Sequence, residues 1–156
     1  MASTVYIETT VPSAHVSSRT DPGSLHRRAA TREWWREQLS LYDSWISEAV
    51  LLDVEKGEWP GKPEALRHVT PLGKLLIDEE VAAVADRYVD ERLVPAGLGG
   101  DAVHLAVACV HEVDFLLTWN IRHLANPNKL NHLTVINRRL GLLTPQIVTP
   151  EMLWME

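Results

Sequence analysis

Cysteine is nearly missing from this chain: Cys109 stands alone. A single thiol forms no internal disulfide and excludes Cys-based zinc clusters. Cys109 itself reads as a small core residue. No apolar run approaches the roughly 20 residues that a membrane helix requires. The N-terminal MASTVYIETTVPS lacks the basic stretch followed by an apolar one that marks a secretory signal. Internal repeats and low-complexity segments are also absent. So is a basic surplus: the net charge of −6 argues against broad electrostatic coating of nucleic acid. It leaves a nuclease open, because a metal-binding carboxylate cluster itself adds negative charge. The expectation is a cytoplasmic protein. Its 156 residues suit a single domain, residues 1–156, with a real core.

What the chain does have is an alternation of β-prone runs and helical patterns. Val5-Tyr6-Ile7 is a short strand, punctuated by Pro12. Ser24 to about Leu41 has helical spacing. The apolar run Ala49–Leu52 predicts a short strand passing into a helix that Gly57 and Pro60 end. PEALRHV predicts a helix with Pro63 near its first position. KLLI is a strand candidate. DEEVAAVADRYVDERL is a strongly amphipathic helix with Asp78 as its cap, ended by Pro95 and the glycines 97, 99 and 100. DAVHLAVACVHEV predicts a buried helix and DFLLTW a buried strand, with TVIN and QIVT as late strand candidates. Strands alternating with helices imply a parallel sheet covered on both faces, an α/β architecture. In such sheets ligands bind beyond the carboxyl ends of the strands.

Four polar residues stand at the ends of apolar runs or open an apolar helix. Glu8 follows Val5-Tyr6-Ile7, and Asp53 follows Val50-Leu51-Leu52. Asp101 opens the apolar helix, and Asn120 ends the long strand. Each has a plain structural alternative. Asp101 suits a helix N-cap, and Asn120 a cap of the turn Ile121–Leu124. Glu8 suits a solvated turn, and Asp53 an exposed helical face. Together they form an all-oxygen set, which suits Mg²⁺ or Mn²⁺ rather than zinc or copper. Such an ion can activate water and neutralise a phosphodiester for in-line hydrolysis.

The segments YIETTVPS, SEAVLLDVEKG, GGDAVHLAVACVHEVDFLLTWNIRHLANP and IVTPEML, in this order, resemble the PIN-domain family (PilT N-terminus), including VapC-type toxins. The resemblance runs from Val5 to Leu153, and the central block is its most specific part. It implies a three-layer α/β/α sandwich with a central, mostly parallel sheet. It also implies a Mg²⁺- or Mn²⁺-dependent ribonuclease, as the toxin of a type II toxin–antitoxin pair; its RNA is expected to be single-stranded, because splayed bases and accessible phosphates fit a concave site better than a stacked duplex. A small antitoxin protein and a homodimer are the implied partners. Glu8 falls where the family has its first Asp, and Asp53 where it has a Glu, with Glu48 in reserve. Asp101 matches the acid that opens the third motif. Asn120 falls where many members carry a fourth Asp, after Thr118, whose hydroxyl can bind a neighbouring carboxylate or metal-bound water. The resemblance thus implies Glu8, Asp53 and Asp101 as metal ligands, with Asn120 the neutral fourth member. The alternative is a PIN-like RNA- or protein-binding module without catalysis.

Further residues are candidates for substrate contact. Arg122 and His123 stand two and three positions after Asn120 and suit phosphate contacts. His26, Arg27, Arg28, Arg32 and Arg36 suit either phosphate contacts or a solvated helix face paired with Glu33 and Glu37. Trp34, Trp35 and Trp45 read as packing residues before base-stacking ones. His104 lies one helical turn from Asp101, as a hydrogen-bonded core histidine or a site contact. A phosphatase of the Asp-x-Asp kind is excluded, since Thr10 stands where its second acid belongs.

Overall fold

The computed structural model of the protein describes residues 1–95 and 100–156. Five strands, β1 (Thr4–Ile7), β2 (Asp43–Ser47), β3 (Gly73–Leu75), β4 (Phe115–Leu117) and β5 (Gln146–Val148), form an all-parallel sheet in the order β3-β2-β1-β4-β5. Seven α-helices connect them among the described residues: α1 (Thr10–His15), α2 (Pro22–Glu37), α3 (Glu48–Glu55), α4 (Lys62–Val69), α5 (Glu79–Asp90), α6 (Asp101–Val110) and α7 (Pro127–Leu140). This is the expected α/β/α sandwich. No helix among the described residues is long and apolar enough to cross a membrane. The glycines 97 and 99, expected to end the fifth helix, lie outside the described residues.

Strand β1 occupies the centre, and Val5, Tyr6 and Ile7 have no solvent exposure. A central parallel strand is covered on both faces, so it reads as a continuous apolar run rather than an alternating one. Successive strands step from β1 to β2 and β3 on one side. The chain then crosses over to β4 and β5 on the other. The order therefore reverses at β1, which opens a crevice beyond the carboxyl ends of β1 and its neighbours. Asp114 ties the opposite ends of β1 and β4 together: its Oδ2 accepts from Thr4 N at 2.8 Å, and its own N–H donates to Thr4 Oγ1 at 2.9 Å.

Three local expectations are corrected. Ala49–Leu52 is not a strand but lies within α3; the strand is the preceding Asp43–Ser47. Val50 and Val54 are the buried residues of α3, four apart, which is a helical face. TVIN is also helical, inside α7. There Leu133, Ile136 and Asn137 are buried at spacings of three and four. The boundaries of α7 follow ordinary helix signals. Asn126 caps by accepting from Asn128 N, Pro127 opens the first turn, and Gly141 closes with φ +73°. Finally, α2 begins earlier than Ser24, at Pro22, because Asp21 takes the N-cap and accepts from Ser24 N at 3.1 Å. It stops at Glu37, and Leu39–Leu41 forms a single 3₁₀ turn.

The second layer is tied by a buried polar cluster. Tyr88 of α5 donates to Asn137 Oδ1 of α7 at 2.6 Å, and Asn137 Nδ2 reaches Thr144 Oγ1 at 3.0 Å. Across the sheet, α1 packs against α2 and α4. There the His15 and His68 rings stand 4.0 Å apart between centroids, with Trp35 edge-on to both. His15 Nδ1 is buried without a hydrogen-bond partner among the described residues. Burial, then the nearby His68 and Arg32 charges, push His15 down from 6.5 to about 4. The folded state thus favours the neutral ring. The stability this contributes is complete above the unfolded value of 6.5 and is lost as pH falls towards 4. A His15→Phe variant should show a flatter unfolding free energy than the parent between these pH values in urea titrations. An equally steep fall in both proteins would remove His15 as its source.

Candidate active site

The crevice at the β1 reversal holds two hydrogen-bonded strings of side chains. The first starts at Glu8, immediately after β1. Only 3% of this residue is exposed. Its Oε1 accepts from Thr10 N at 3.1 Å, from the Thr10 hydroxyl, and from Thr118 Oγ1 at 2.7 Å. Both hydroxyls are aimed by the chain leaving β4. Trp119 N donates to Thr10 Oγ1 at 2.8 Å, and Asn120 N donates to Thr118 Oγ1 at 2.9 Å. Each hydroxyl thus accepts from an amide and gives its one proton to Glu8, because a carboxylate only accepts. Asn120 extends the string: its Nδ2 donates to Asp101 Oδ1 at 3.2 Å.

The second string begins on β2. Ser47 Oγ lies 2.7 Å from the Tyr6 hydroxyl, which lies 2.7 Å from His104 Nδ1. His104 Nε2 lies 2.9 Å from Asp53 Oδ2, which also accepts from Thr9 Oγ1 at 2.7 Å. A carboxylate only accepts, so Nε2 carries the proton. In a neutral imidazole Nδ1 then accepts from Tyr6, and Tyr6 accepts from Ser47. Burial, opposed only in part by the Ser47 hydrogen bond and reinforced by the Glu8 and Asp53 charges, holds the Tyr6 phenol above its ordinary range. This suits a group that must donate. At Asp53, burial alone would raise the carboxyl. The hydrogen bonds from His104 and Thr9, with the Lys56 charge, outweigh it and hold the group below the usual carboxylate range.

Glu8, Asn120 and Asp101 therefore fall on the first string and Asp53 on the second, although not by the expected route in each case. Glu8 directly follows β1, as its position implied, whereas β4 is shorter than DFLLTW suggested and Asn120 lies three residues beyond its last residue, Leu117. Asp53 does not leave a strand; it projects from the last turn of α3. The reserve candidate Glu48 is exposed in the first turn of that helix. Five helical positions separate it from Asp53, about 140° around the axis, so the two do not share a face. Asp101 is not the N-cap of α6: Gly100 holds that position, and the Asp101 carboxylate turns to Asn120 instead. Asn120 does both things its position allowed. Its Oδ1 accepts from His123 N at 3.1 Å, capping the turn, while its Nδ2 faces Asp101.

Of the expected substrate contacts, Thr118 is fully buried and aimed at Glu8. Arg122 is exposed, and its guanidinium makes no hydrogen bond with the described residues. His123 turns inward beside Leu105 and Leu133, its Nδ1 buried without a partner among the described residues. That position does not suit a phosphate contact. Thr9, Thr10, Tyr6 and Ser47 were not among the expected site residues. The Glu8-Thr9-Thr10 triplet is visible in the sequence, but Thr9 donates to Asp53, 44 positions away, and Thr10 accepts from Trp119, 109 positions away.

One oxygen of each acid stays outside these bonds: Glu8 Oε2, Asp53 Oδ1 and Asp101 Oδ2 make no hydrogen bond with the described residues. Hard oxygen donors of this kind suit Mg²⁺ or Mn²⁺. Among the described residues no three His, Cys, Asp or Glu side chains are grouped closely enough to hold a metal ion between them. The acids are therefore not a closed protein cage. Mg²⁺ seldom uses one; it is commonly bound by one or two carboxylates, its waters and a substrate phosphate. A larger recess, about 480 Å³ between α7 and β5, is walled by residues such as Leu130, Ile147 and Met152 and carries no carboxylate.

Removing the Tyr6 hydroxyl should expose the value of the second string. Tyr6→Phe leaves His104 Nδ1 and Ser47 Oγ unpaired in the interior, at a cost of about 1–3 kcal/mol. Urea denaturation should show a lower midpoint with an unchanged slope; an unchanged midpoint would mean the string contributes nothing to stability. Among known proteins, no family model matches this chain and no curated protein matches it.

Proposed function

We propose that this protein is a Mg²⁺- or Mn²⁺-dependent endoribonuclease that hydrolyses phosphodiester bonds of single-stranded RNA. In this reading it is a cytoplasmic, PIN-type toxin of a type II toxin–antitoxin pair, a homodimer restrained by a small antitoxin protein. One arrangement carries the nuclease reading: Glu8, Asn120 and Asp101 lie along one hydrogen-bonded string and Asp53 on a second, both beyond the carboxyl ends of β1 and its neighbours. Three of the four are carboxylates with one oxygen that makes no hydrogen bond with the described residues. The toxin role rests on the PIN resemblance alone.

Glu8, Asp53 and Asp101 would hold the ion, partly through water. When bound, a divalent ion supplies charge neutralisation at phosphorus and lowers the pKa of water. The chain's own contribution is orientation. Thr10 and Thr118 fix Glu8, Thr9 and His104 fix Asp53, and Asn120 fixes Asp101. RNA fits the crevice as a single strand, because splayed bases give phosphates access to a concave site that a stacked duplex lacks. No serine or cysteine nucleophile is needed.

A second reading, a non-catalytic RNA- or protein-binding module, draws on the neutrality of Asn120 and on the hydrogen bonds that occupy one oxygen of each acid. Mn²⁺ binding separates the two. Asp101→Asn should abolish Mn²⁺-dependent cleavage of a single-stranded RNA and weaken Mn²⁺ binding in calorimetry, with circular dichroism unchanged. Full cleavage by the variant would sink the catalytic assignment, and a parent that binds no Mn²⁺ would favour the module.

Asn120→Asp tests the fourth position from the opposite direction. It exchanges a donor facing Asp101 for a second negative charge. In EDTA the variant should lose on the order of 1–3 kcal/mol of unfolding free energy. Mn²⁺ should then stabilise it more than the parent, since an ion that binds the folded form adds stability in proportion to its affinity. Equal Mn²⁺ stabilisation of both proteins would place Asn120 outside the metal site.

A further inference from the structure

We propose that a trough across α1 is the seat for the sugar–phosphate backbone of the single-stranded RNA beside the acidic crevice. This rests on the ribonuclease reading above. Two recesses, of about 420 and 310 Å³, meet over α1, where Ser13, Ser17 and Arg19 line both. One reaches Thr9, Thr10 and Trp119; the other ends at Asp53 and Trp59. The trough therefore borders both strings of the candidate site, at Thr10 on one and at Asp53 on the other.

Its chemistry is one-sided. Hydroxyls and guanidinium groups supply the polar lining, and Asp53 is its one carboxylate among the described residues. The Ser13 hydroxyl makes no hydrogen bond with the described residues. Arg27, half-buried on α2, has only a long 3.4 Å contact to Ser24 Oγ and no ion pair among the described residues. Arg19 pairs with Asp21 at 3.4 Å, but 78% of its side chain is exposed, and such a pair is weak and easily exchanged. Behind the trough, Arg28 and Arg32 hold the carbonyls of Ser17 and His15, again without a carboxylate. Four guanidinium groups thus surround one short helix in a protein of net charge −6. Hydroxyl donors and guanidinium forks without matching acids recognise phosphate oxygens. A duplex offers its phosphates along a rigid outer curve, whereas a single strand can follow a trough. Trp59, half-buried at one end, offers a face on which a base can stack.

The test uses the full chain carrying Asp101→Asn, with a fluorescein-labelled oligouridylate followed by fluorescence anisotropy over a range of KCl. Arg27→Ala should weaken binding several-fold and reduce the slope of log affinity against log salt by about 0.7, the value for one single-strand phosphate contact. Arg19→Ala should act alike, and Arg27→Lys should recover part of the affinity. Arg138→Ala, on α7, should change neither quantity. Unchanged binding in Arg27→Ala, equal losses in Arg138→Ala, or no binding by the starting protein would each overturn the trough. The ribonuclease reading fails separately: if the unsubstituted protein does not cleave this RNA with Mn²⁺ while binding still depends on Arg27 and Arg19, the trough stands and the nuclease does not.

Discussion

Glu8 is a carboxylate placed at the end of the most buried strand of the sheet, and the arrangement around it follows from that. A charge with so little water near it must be met by donors. The donors come from the two chain segments that leave β1 and β4. Because Thr10 is gripped by the amide of Trp119, and Thr118 by that of Asn120, satisfying Glu8 also fixes where the chain goes after β4. That path sets Asn120 against Asp101 and so orients the first turn of α6 toward the crevice. The strand pairing of β1 with β4 and the geometry of the acids are two expressions of the same constraint.

The sheet and its helices were largely legible in the sequence. Continuous apolar runs marked β1 and β4, and the cap Asp78 and the first-turn Pro63 were visible in place. What misled was apolar content without attention to period. Ala49–Leu52 is a continuous apolar run and TVIN is β-prone in composition, yet the buried residues of their helices recur at spacings of three and four. Strand β2 went unnoticed because Asp43, Ser44 and Ser47 make it polar. The exposed Asp43 starts it, and Ser47 is buried only because Tyr6 offers its hydroxyl.

The site was legible in its acids and not in their supports. Glu8, Asp101 and Asn120 stood at sequence positions where an α/β sheet delivers side chains to its edge. Asp53 was named for the wrong local reason, since its helix, not a strand end, places it. The threonines and Tyr6 carry no such positional mark. A hydroxyl's partner 108 or 110 residues away follows from strand order, which the sequence does not display.

The string from Ser47 through Tyr6 and His104 to Asp53 has a direction. Each hydroxyl or ring nitrogen gives its proton toward Asp53, and the aligned dipoles strengthen one another. Reversing any one member in place would set two donors or two acceptors face to face. The polarity can therefore turn over only as a unit, with the serine, the phenol and both imidazole nitrogens changing roles together. The string thus ties Asp53, on the rim of the crevice, to Ser47 on β2 through side chains alone.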